Sequence, residues 1–315
     1  MKLHAEFCFA TLALGQAFVF HAQRLAQDVA RFSPNTWLVI LTDLPNAFQK
    51  FPHVVPVPHR QQGVFRCYHD KRFLVNEGLK LAKACIIIDA NIRLLEPVAP
   101  RLSEPFGSGL SATRLYTIAS KWESDQANAQ YSDPRSIARQ TRERRIVSHI
   151  LDQLDLSPDD VFFPQEFLYA VKVVEGSEEA QKWLRGWNLL ADYFDFHRLA
   201  WSEGFGIGIA AAATGFPLEC VRVLPDFHFY KKRTFEFNLK SFRNPISPAQ
   251  EACHAEQESF EAKLSPRYPK LNKFKTRLGQ LTRYSRFRLK TWNDRNLIEQ
   301  LRALSNFKPT ATKQS

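Results

Sequence analysis

Residues 84–91 read ACIIIDAN, so the most apolar strand candidate of the chain runs directly into a carboxylate. An apolar run of this length, stopped by polar residues, is typical of a strand buried on both faces of a sheet. Three shorter runs precede it: EFCFATL at 6–12, WLVIL at 37–41 and a weaker one at 53–57. We therefore predict four strands early in the chain, the last of them ending at Asp89.

Helical patterns separate these strands. Residues 16–32 carry apolar side chains at helical spacing, and residues 68–82 place leucines and a phenylalanine among charges. This alternation predicts an α/β fold with a mixed, mostly parallel sheet flanked by helices. The carboxyl ends of parallel strands share one edge of such a sheet, and open α/β sheets bind ligands at that edge.

Later patterns are less regular. Residues 119–160 are polar and rich in arginine, which predicts a helix and a mobile loop. A helix is predicted over 177–194, because Ser177 can cap it and two glutamates follow in its first turn. A compact helix is predicted over 206–214, followed by a basic, partly helical extension from about 241.

The positive charge is concentrated at the C-terminal end. The chain has a formal net charge of +11; residues 241–315 hold 15 Lys and Arg against 6 Asp and Glu, whereas residues 1–240 are nearly neutral. Such an extension indicates a partner that bears phosphates, such as a lipid head group, nucleic acid or an anionic polymer. Because the body is nearly neutral, we expect no nucleic-acid partner.

The basic tail has two interpretations. Within 273–292, apolar residues recur three to four positions apart among lysines and arginines, which predicts a basic amphipathic helix. Residues 263–315 carry 14 Lys and Arg against 2 Asp and Glu and can bind an anionic membrane surface. Alternatively, the helix packs back on the body through Phe274, Leu278 and Leu281.

The N-terminal sequence and the cysteines indicate the cytosol. Residues 1–10 lack the basic start, apolar middle and cleavage site of a signal peptide. The five cysteines are scattered and form no CxxC pair, which fits reduced thiols. We expect a cytoplasmic protein, with peripheral attachment to the inner membrane face if the tail binds lipid.

Asp89 and Asn91 are the strongest candidate for chemistry. An Asp-x-Asn turn at the end of a buried strand offers two oxygen ligands, which suits Mn²⁺ or Mg²⁺ completed by a substrate diphosphate. The simpler interpretation is a strand-end aspartate that caps a turn.

Residues 68–98, YHDKRFLVNEGLKLAKACIIIDANIRLLEPV, resemble the core of glycosyltransferases with the GT-A fold. In that family, a helix bearing Lys or Arg leads into an apolar strand that ends in Asp-x-Asp. The resemblance implies that Asp89 and Asn91 bind the metal and the diphosphate of a nucleotide sugar, with Lys71 and Arg72 near the diphosphate or ribose. Asn91 departs from the motif, because Asn keeps an oxygen but removes a charge.

The resemblance extends over about residues 5–232 and is specific over 68–98 and 193–232. The first strand and the turn that ends at Asp43 resemble the nucleotide-binding half of the family, which makes Asp43 a further donor-binding candidate. We predict a nucleotide-sugar half at 1–105, an acceptor half of the same domain at 106–240 and the tail at 241–315.

Residues 201–208, WSEGFGIG, form the predicted acceptor side. Alternate glycines let the backbone approach a ligand, so Trp201, Gly204 and Gly206 are acceptor-binding candidates. In the resembled family, an acidic residue here faces the acceptor, which makes Glu203 a catalytic candidate beside Asp89, as general base. Alternatively, Glu203 is a helix-start residue favoured by the helix dipole.

A late segment, PDFHFYKK at 225–232, offers His228 as a third metal ligand and Lys231 as a group that neutralises the leaving diphosphate. It resembles the late His and Lys of several GT-A families. The alternative for His228 is a structural role between aromatic residues.

Together these features predict a metal-assisted glycosyltransferase. It would move a sugar from a nucleotide-diphosphate sugar to a saccharide, including a lipid-linked one, with inversion or retention left open. One alternative is a nucleotidyltransferase of related fold, although the usual glycine- and arginine-containing loop is missing at 11–15. A second alternative is a non-catalytic RNA- or membrane-binding protein that acts through its tail.

Overall fold

The computed structural model describes most of the chain. The described residues are 5–64, 66–99, 102, 104–127, 134–174, 176–199, 203–224, 229–232, 235–236, 246–263, 277–285 and 294–305.

A seven-stranded sheet organises the molecule, in the order β10-β6-β9-β4-β1-β2-β3. Every strand in it is parallel to the others except β9, which runs antiparallel to both β4 and β6. The predicted α/β fold with a mixed, mostly parallel sheet flanked by helices is confirmed. The sheet strands are β1 (Ala5–Ala13), β2 (Leu38–Thr42), β3 (Val54–Pro58), β4 (Ala82–Ile88), β6 (Gly109–Ala112), β9 (Leu168–Lys172) and β10 (Leu218–Cys220).

Two small antiparallel pairs lie beside this sheet: β5 (Ile92–Leu94) with β11 (Phe229–Lys231), and β7 (Leu115–Thr117) with β8 (Phe162–Pro164). The first pair matters for function. Since β5 follows the Asp89 turn and Lys231 is paired with Ile92, the ladder brings residues from distant parts of the chain to the end of β4.

Both faces of β4 are covered, which explains its apolar sequence. Ile86 and Ile88 belong to a core packed against helix α1 (Gln16–Phe32). Cys85 and Ile87 belong to a second core formed with helices α5 (Glu178–Phe196) and α6 (Glu203–Thr214). Alternate side chains of a strand point to opposite faces, so a strand between two helical layers must be apolar throughout.

The described helices are α1 (Gln16–Phe32), α2 (Arg72–Leu79), α3 (Ile118–Ala127), α4 (Pro134–Gln153), α5 (Glu178–Phe196), α6 (Glu203–Thr214), α7 (Pro248–Lys263), α8 (277–285) and α9 (Asp294–Ser305).

Several helices match their predicted positions. Helix α1 covers the predicted residues, and α5 begins after Ser177, whose hydroxyl accepts a hydrogen bond from the backbone N–H of Ala180 at 3.2 Å. The predicted helix over 68–82 is instead a 3₁₀ turn at Tyr68–Lys71 followed by α2, and helix α6 begins at Glu203 rather than at 206.

The tail is helical where it is described. Leu301 of α9 is buried, and α9 packs on α5 and α6. In α8, Leu278 and Leu281 are exposed, so these two residues do not make the predicted packing contacts, and Phe274 lies outside the described residues. Helix α8 nevertheless contacts the body, because Arg283 donates to the Val64 carbonyl at 3.1 Å and Arg198 lies over the Tyr284 ring. Among the described helices, none is long and apolar enough to cross a membrane.

Candidate functional site at the carboxyl end of the sheet

Three adjacent strands deliver polar groups to one edge of the sheet. Strands β1, β2 and β4 are parallel, and their carboxyl ends lead to Gly15, Asp43 and Asp89. The backbone N–H of Gly15 donates to Asp43 Oδ1 at 2.9 Å, which ties the ends of β1 and β2 together. Asp43 and Asp89 therefore share the edge where open α/β sheets bind ligands.

Asp89 is bound by two lysines. Its Oδ1 lies 2.7 Å from Lys71 Nζ and its Oδ2 lies 2.8 Å from Lys231 Nζ, while its backbone N–H donates to the Phe167 carbonyl. Burial alone would raise the pKa of this carboxyl, but the two ammonium groups outweigh burial and lower it to about 2. Asp89 is therefore ionised at neutral pH.

Lys71 connects three parts of the chain. Besides Asp89, its ammonium donates to Glu203 Oε1 at 2.9 Å and to the Glu166 carbonyl at 2.8 Å. Its side chain is 7% exposed. Burial would lower the pKa of Lys71, but Asp89 and Glu203 raise it above its ordinary value. An ammonium has three donors, and these three acceptors use all of them.

Glu203 is the first residue of α6 and is only 2% exposed. Burial raises its pKa well above the ordinary value, although Lys71 acts in the opposite direction. Glu166 lies beside it: its Oε1 accepts from the backbone N–H of Gly204 at 2.9 Å, and burial raises its pKa too. The sequence offered no signal for Glu166, which lies in a loop without a motif.

Lys231 is the more accessible of the two lysines. Its side chain is 15% exposed, and its ammonium lies 3.9 Å from the centre of the Phe167 ring. The β5–β11 ladder holds its backbone. We refer to Lys71, Asp89, Glu203 and Lys231 as the Asp89 cluster.

Arg72 points elsewhere. It donates to Asn188 Oδ1 on α5 and to the His69 carbonyl, and it lies 3.5 Å from Asp70. Lys71 and Arg72 were predicted together as donor-binding residues, but the structure brings only Lys71 to Asp89.

The glycines after Glu203 lie inside helix α6 and are buried. A Cβ on Gly204 would lie 2.7 Å from the Phe163 ring, and one on Gly206 would lie 3.0 Å from Trp187. These glycines let α6 pack closely against β8 and α5. Their predicted contact with an acceptor stays a prediction, and Trp201 lies outside the described residues.

The resemblance implies a divalent cation at Asp89 and Asn91, and the described side chains do not fit one. Both Asp89 oxygens are bound by ammonium groups. Asn91 lines a small cleft in which Glu256 is ion-paired with Arg24 and Arg93. Among the residues the structure describes, no three His, Cys, Asp or Glu side chains form a cation site. His228 lies outside them, so its metal ligation stays a prediction.

Comparisons with known proteins give little further guidance. No family model matches the chain, and no curated protein matches it. One similar solved structure is the galactosyltransferase LgtC in complex with donor and acceptor sugar analogues, at 9% identity and a TM-score of 0.40, over 64% of this chain and 70% of that one. Because a likeness of this size carries no functional weight, function must be inferred from the site.

Proposed function

We propose that this chain is a glycosyltransferase that uses a nucleotide-diphosphate sugar. One observation carries the proposal: an ionised carboxylate that holds two ammonium groups stands at the ligand-binding edge of a mostly parallel sheet. Lys231, the accessible ammonium, is suited to an anionic leaving group. Asp43 at the neighbouring strand end is the candidate for contacts to the nucleoside.

The proposed reaction is a substitution at the anomeric carbon of the donor sugar. The bond from that carbon to the β-phosphate oxygen breaks, and its electron pair leaves with the nucleoside diphosphate. A bond to the acceptor oxygen forms, and the acceptor hydroxyl loses its proton. Lys231 would stabilise the charge that develops on the leaving phosphate, which is the largest electrostatic demand of the step.

Glu203 remains the candidate for the acceptor's proton. It shares Lys71 with Asp89, and burial raises its pKa, whereas the pKa of Asp89 is lowered to about 2, which makes Asp89 a weak base. If Glu203 is the base, Glu203→Gln should lower turnover by about two to four orders of magnitude and leave donor affinity nearly unchanged. A fall of less than tenfold would leave Glu203 with the role of holding Lys71.

The function is tested first by ligand binding. The protein is heated with UDP-, GDP- and dTDP-sugars, in parallel with Mn²⁺ and with EDTA, and a CMP-sugar, which has only one phosphate, is the control. A ligand that binds only the folded state raises the melting temperature, so one nucleotide class should stand out. Asp89→Ala should then abolish transfer from that donor, whereas Glu6→Ala, a surface carboxylate, should not.

Product analysis separates the rival enzyme class. A glycosyltransferase releases a nucleoside diphosphate from the donor, whereas a nucleotidyltransferase consumes a nucleoside triphosphate and a sugar phosphate and releases pyrophosphate. Pyrophosphate release would favour the rival. If no nucleotide sugar shifts the melting temperature under either condition, the proposed function is wrong.

We also propose that the acceptor is presented at an anionic membrane surface, as a lipid-linked saccharide would be. This finer proposal is supported by Leu278 and Leu281, which are exposed on α8 between Arg277 and Arg283 within the strongly basic segment 263–315. Full-length protein should float with anionic vesicles at low salt and be released as salt rises. Because α9 packs on α5 and α6, the matched variant keeps the whole chain and changes Leu278→Asp and Leu281→Asp; it should not float. Failure of the unaltered protein to float would contradict the proposal.

A further inference from the structure

Resting on the proposed function, we propose that the donor diphosphate binds without a divalent cation, and that the Lys231 ammonium takes the place of one. The GT-A resemblance implies a metal at the end of β4. The structure instead assigns both oxygens of Asp89 to lysines, at 2.7 and 2.8 Å.

The two lysines have different capacities for a ligand. Lys71 is nearly buried, and its three hydrogen bonds to Asp89, Glu203 and the Glu166 carbonyl use all its donors. Lys231 is more exposed and is hydrogen-bonded, among the described residues, to Asp89 alone. Lys231 therefore keeps donors for an anionic oxygen, and Lys71 fixes the carboxylate that orients it.

The position of Lys231 also favours an anion. Its ammonium lies at the carboxyl edge of the sheet, where the ends of β1, β2 and β4 meet, and its side chain is 15% exposed. An ammonium group in that place attracts phosphate oxygens and repels Mn²⁺ or Mg²⁺.

The test uses inorganic pyrophosphate as the probe, because it contains the diphosphate without committing to a base or a sugar. Calorimetric titration of full-length protein in EDTA should show binding, and addition of Mg²⁺ should not strengthen it. Lys231→Met should weaken binding by at least about tenfold, as expected for loss of a charge-assisted hydrogen bond. Lys231→Arg should retain most of the affinity.

Lys232→Met is the matched control. Lys232 is adjacent in sequence but donates to Glu258 and Glu261 on α7, so its loss should change pyrophosphate affinity by less than about twofold. Circular dichroism melting verifies that each variant is folded. A separate titration with Mn²⁺ alone, followed by electron paramagnetic resonance, should show no stoichiometric binding.

Failure of the inference and failure of the proposed function give different results. If pyrophosphate and nucleotide sugars bind only with Mg²⁺ or Mn²⁺, or if folded Lys231→Met binds like wild type, the cation-free site is wrong while the proposed function stands. If neither pyrophosphate nor any nucleotide sugar binds under any condition, both are wrong.

Discussion

Lys71 and Lys232 each bind two carboxylates, but in opposite surroundings. Lys71 joins Asp89 to Glu203 and is 7% exposed, whereas Lys232 joins Glu258 to Glu261 on α7 and is 23% exposed, with both partners largely in solvent. At the sheet edge Lys71 and Glu203 are buried and Asp89 is 26% exposed, whereas the carboxylates that bind Lys232 on α7 are largely exposed.

The ion pairs of Lys71 and Lys232 differ in how far they are removed from water. A buried ion pair tolerates no missing partner, because the remaining charge is left without water, whereas an exposed pair exchanges its partner for solvent at little cost. The Asp89 cluster therefore defines one geometry, as a site for chemistry requires. The pairs of Lys232 with Glu258 and Glu261 are exposed and tolerate the loss of a partner.

The largest expected effect is at Lys71. Lys71→Met leaves the buried Glu203 without its cation, whereas Asp89 keeps Lys231, so we expect a loss of about 3 kcal/mol in the free energy of unfolding, the lower end for a broken buried ion pair. Urea denaturation measures it. The exposed Lys83→Met, which removes only a surface pair with Glu6, is the matched control and should melt like wild type. A Lys71→Met protein as stable as the control would show that the cluster contributes little to folding.

Asp195 is a buried carboxylate with no lysine partner among the described residues, so it can be compared with Asp89. Asp195 accepts from the backbone N–H of Val64 at 2.9 Å, and burial raises its pKa to about 7. Because the folded state then keeps a proton that the unfolded state loses near pH 4, stability falls as pH rises from about 4 to 7, by at most about 1.4 kcal/mol per pH unit.

Asp195→Asn removes this titration and keeps an acceptor for Val64. The difference in unfolding free energy between wild type and Asp195→Asn should therefore change with pH over that range. As pH rises, wild type should lose stability relative to Asp195→Asn. A difference that is constant from pH 4 to 8 would show that Asp195 is ionised in the folded protein, like Asp89.

The smallest effect on the free energy of unfolding is expected at Lys232, which pairs with carboxylates on α7. Lys232→Met should lower the free energy of unfolding by less than about 1 kcal/mol, and high salt should remove most of that loss, because exposed ion pairs are weak and screened. Paired urea titrations at low and high salt measure it. If Lys232→Met lowered the free energy of unfolding as much as Lys71→Met does, burial would not explain the difference between the two lysines.

Local patterns predicted much of the fold. Strands β1, β2 and β4 and helix α1 lie within one or two residues of their predicted positions, because apolar runs and helical periodicity act over short stretches of chain. Lys231 and Asp89 were also predicted as parts of one site, although only through the family resemblance. Their direct contact depends on the β5–β11 ladder, which no local pattern reveals.

Contacts across long sequence distances were not predictable. Lys71 and Glu203 are 132 residues apart and meet because α6 packs against β8 and against the 3₁₀ turn that ends at Lys71. The alternate glycines were predicted to let the backbone approach an acceptor, but in the structure they allow close packing against Phe163 and Phe162 of β8 and Trp187 of α5. Glu166 was missed because its role depends on the position of Gly204 in the folded chain.

The most direct test of the account is a crystal structure with the nucleoside diphosphate that gives the largest thermal shift. The account predicts a diphosphate oxygen within hydrogen-bond distance of Lys231 Nζ, about 2.7–3.2 Å, at the carboxyl edge of β1, β2 and β4. Nucleotide bound at another surface, with Lys231 still directed only at Asp89, would contradict it.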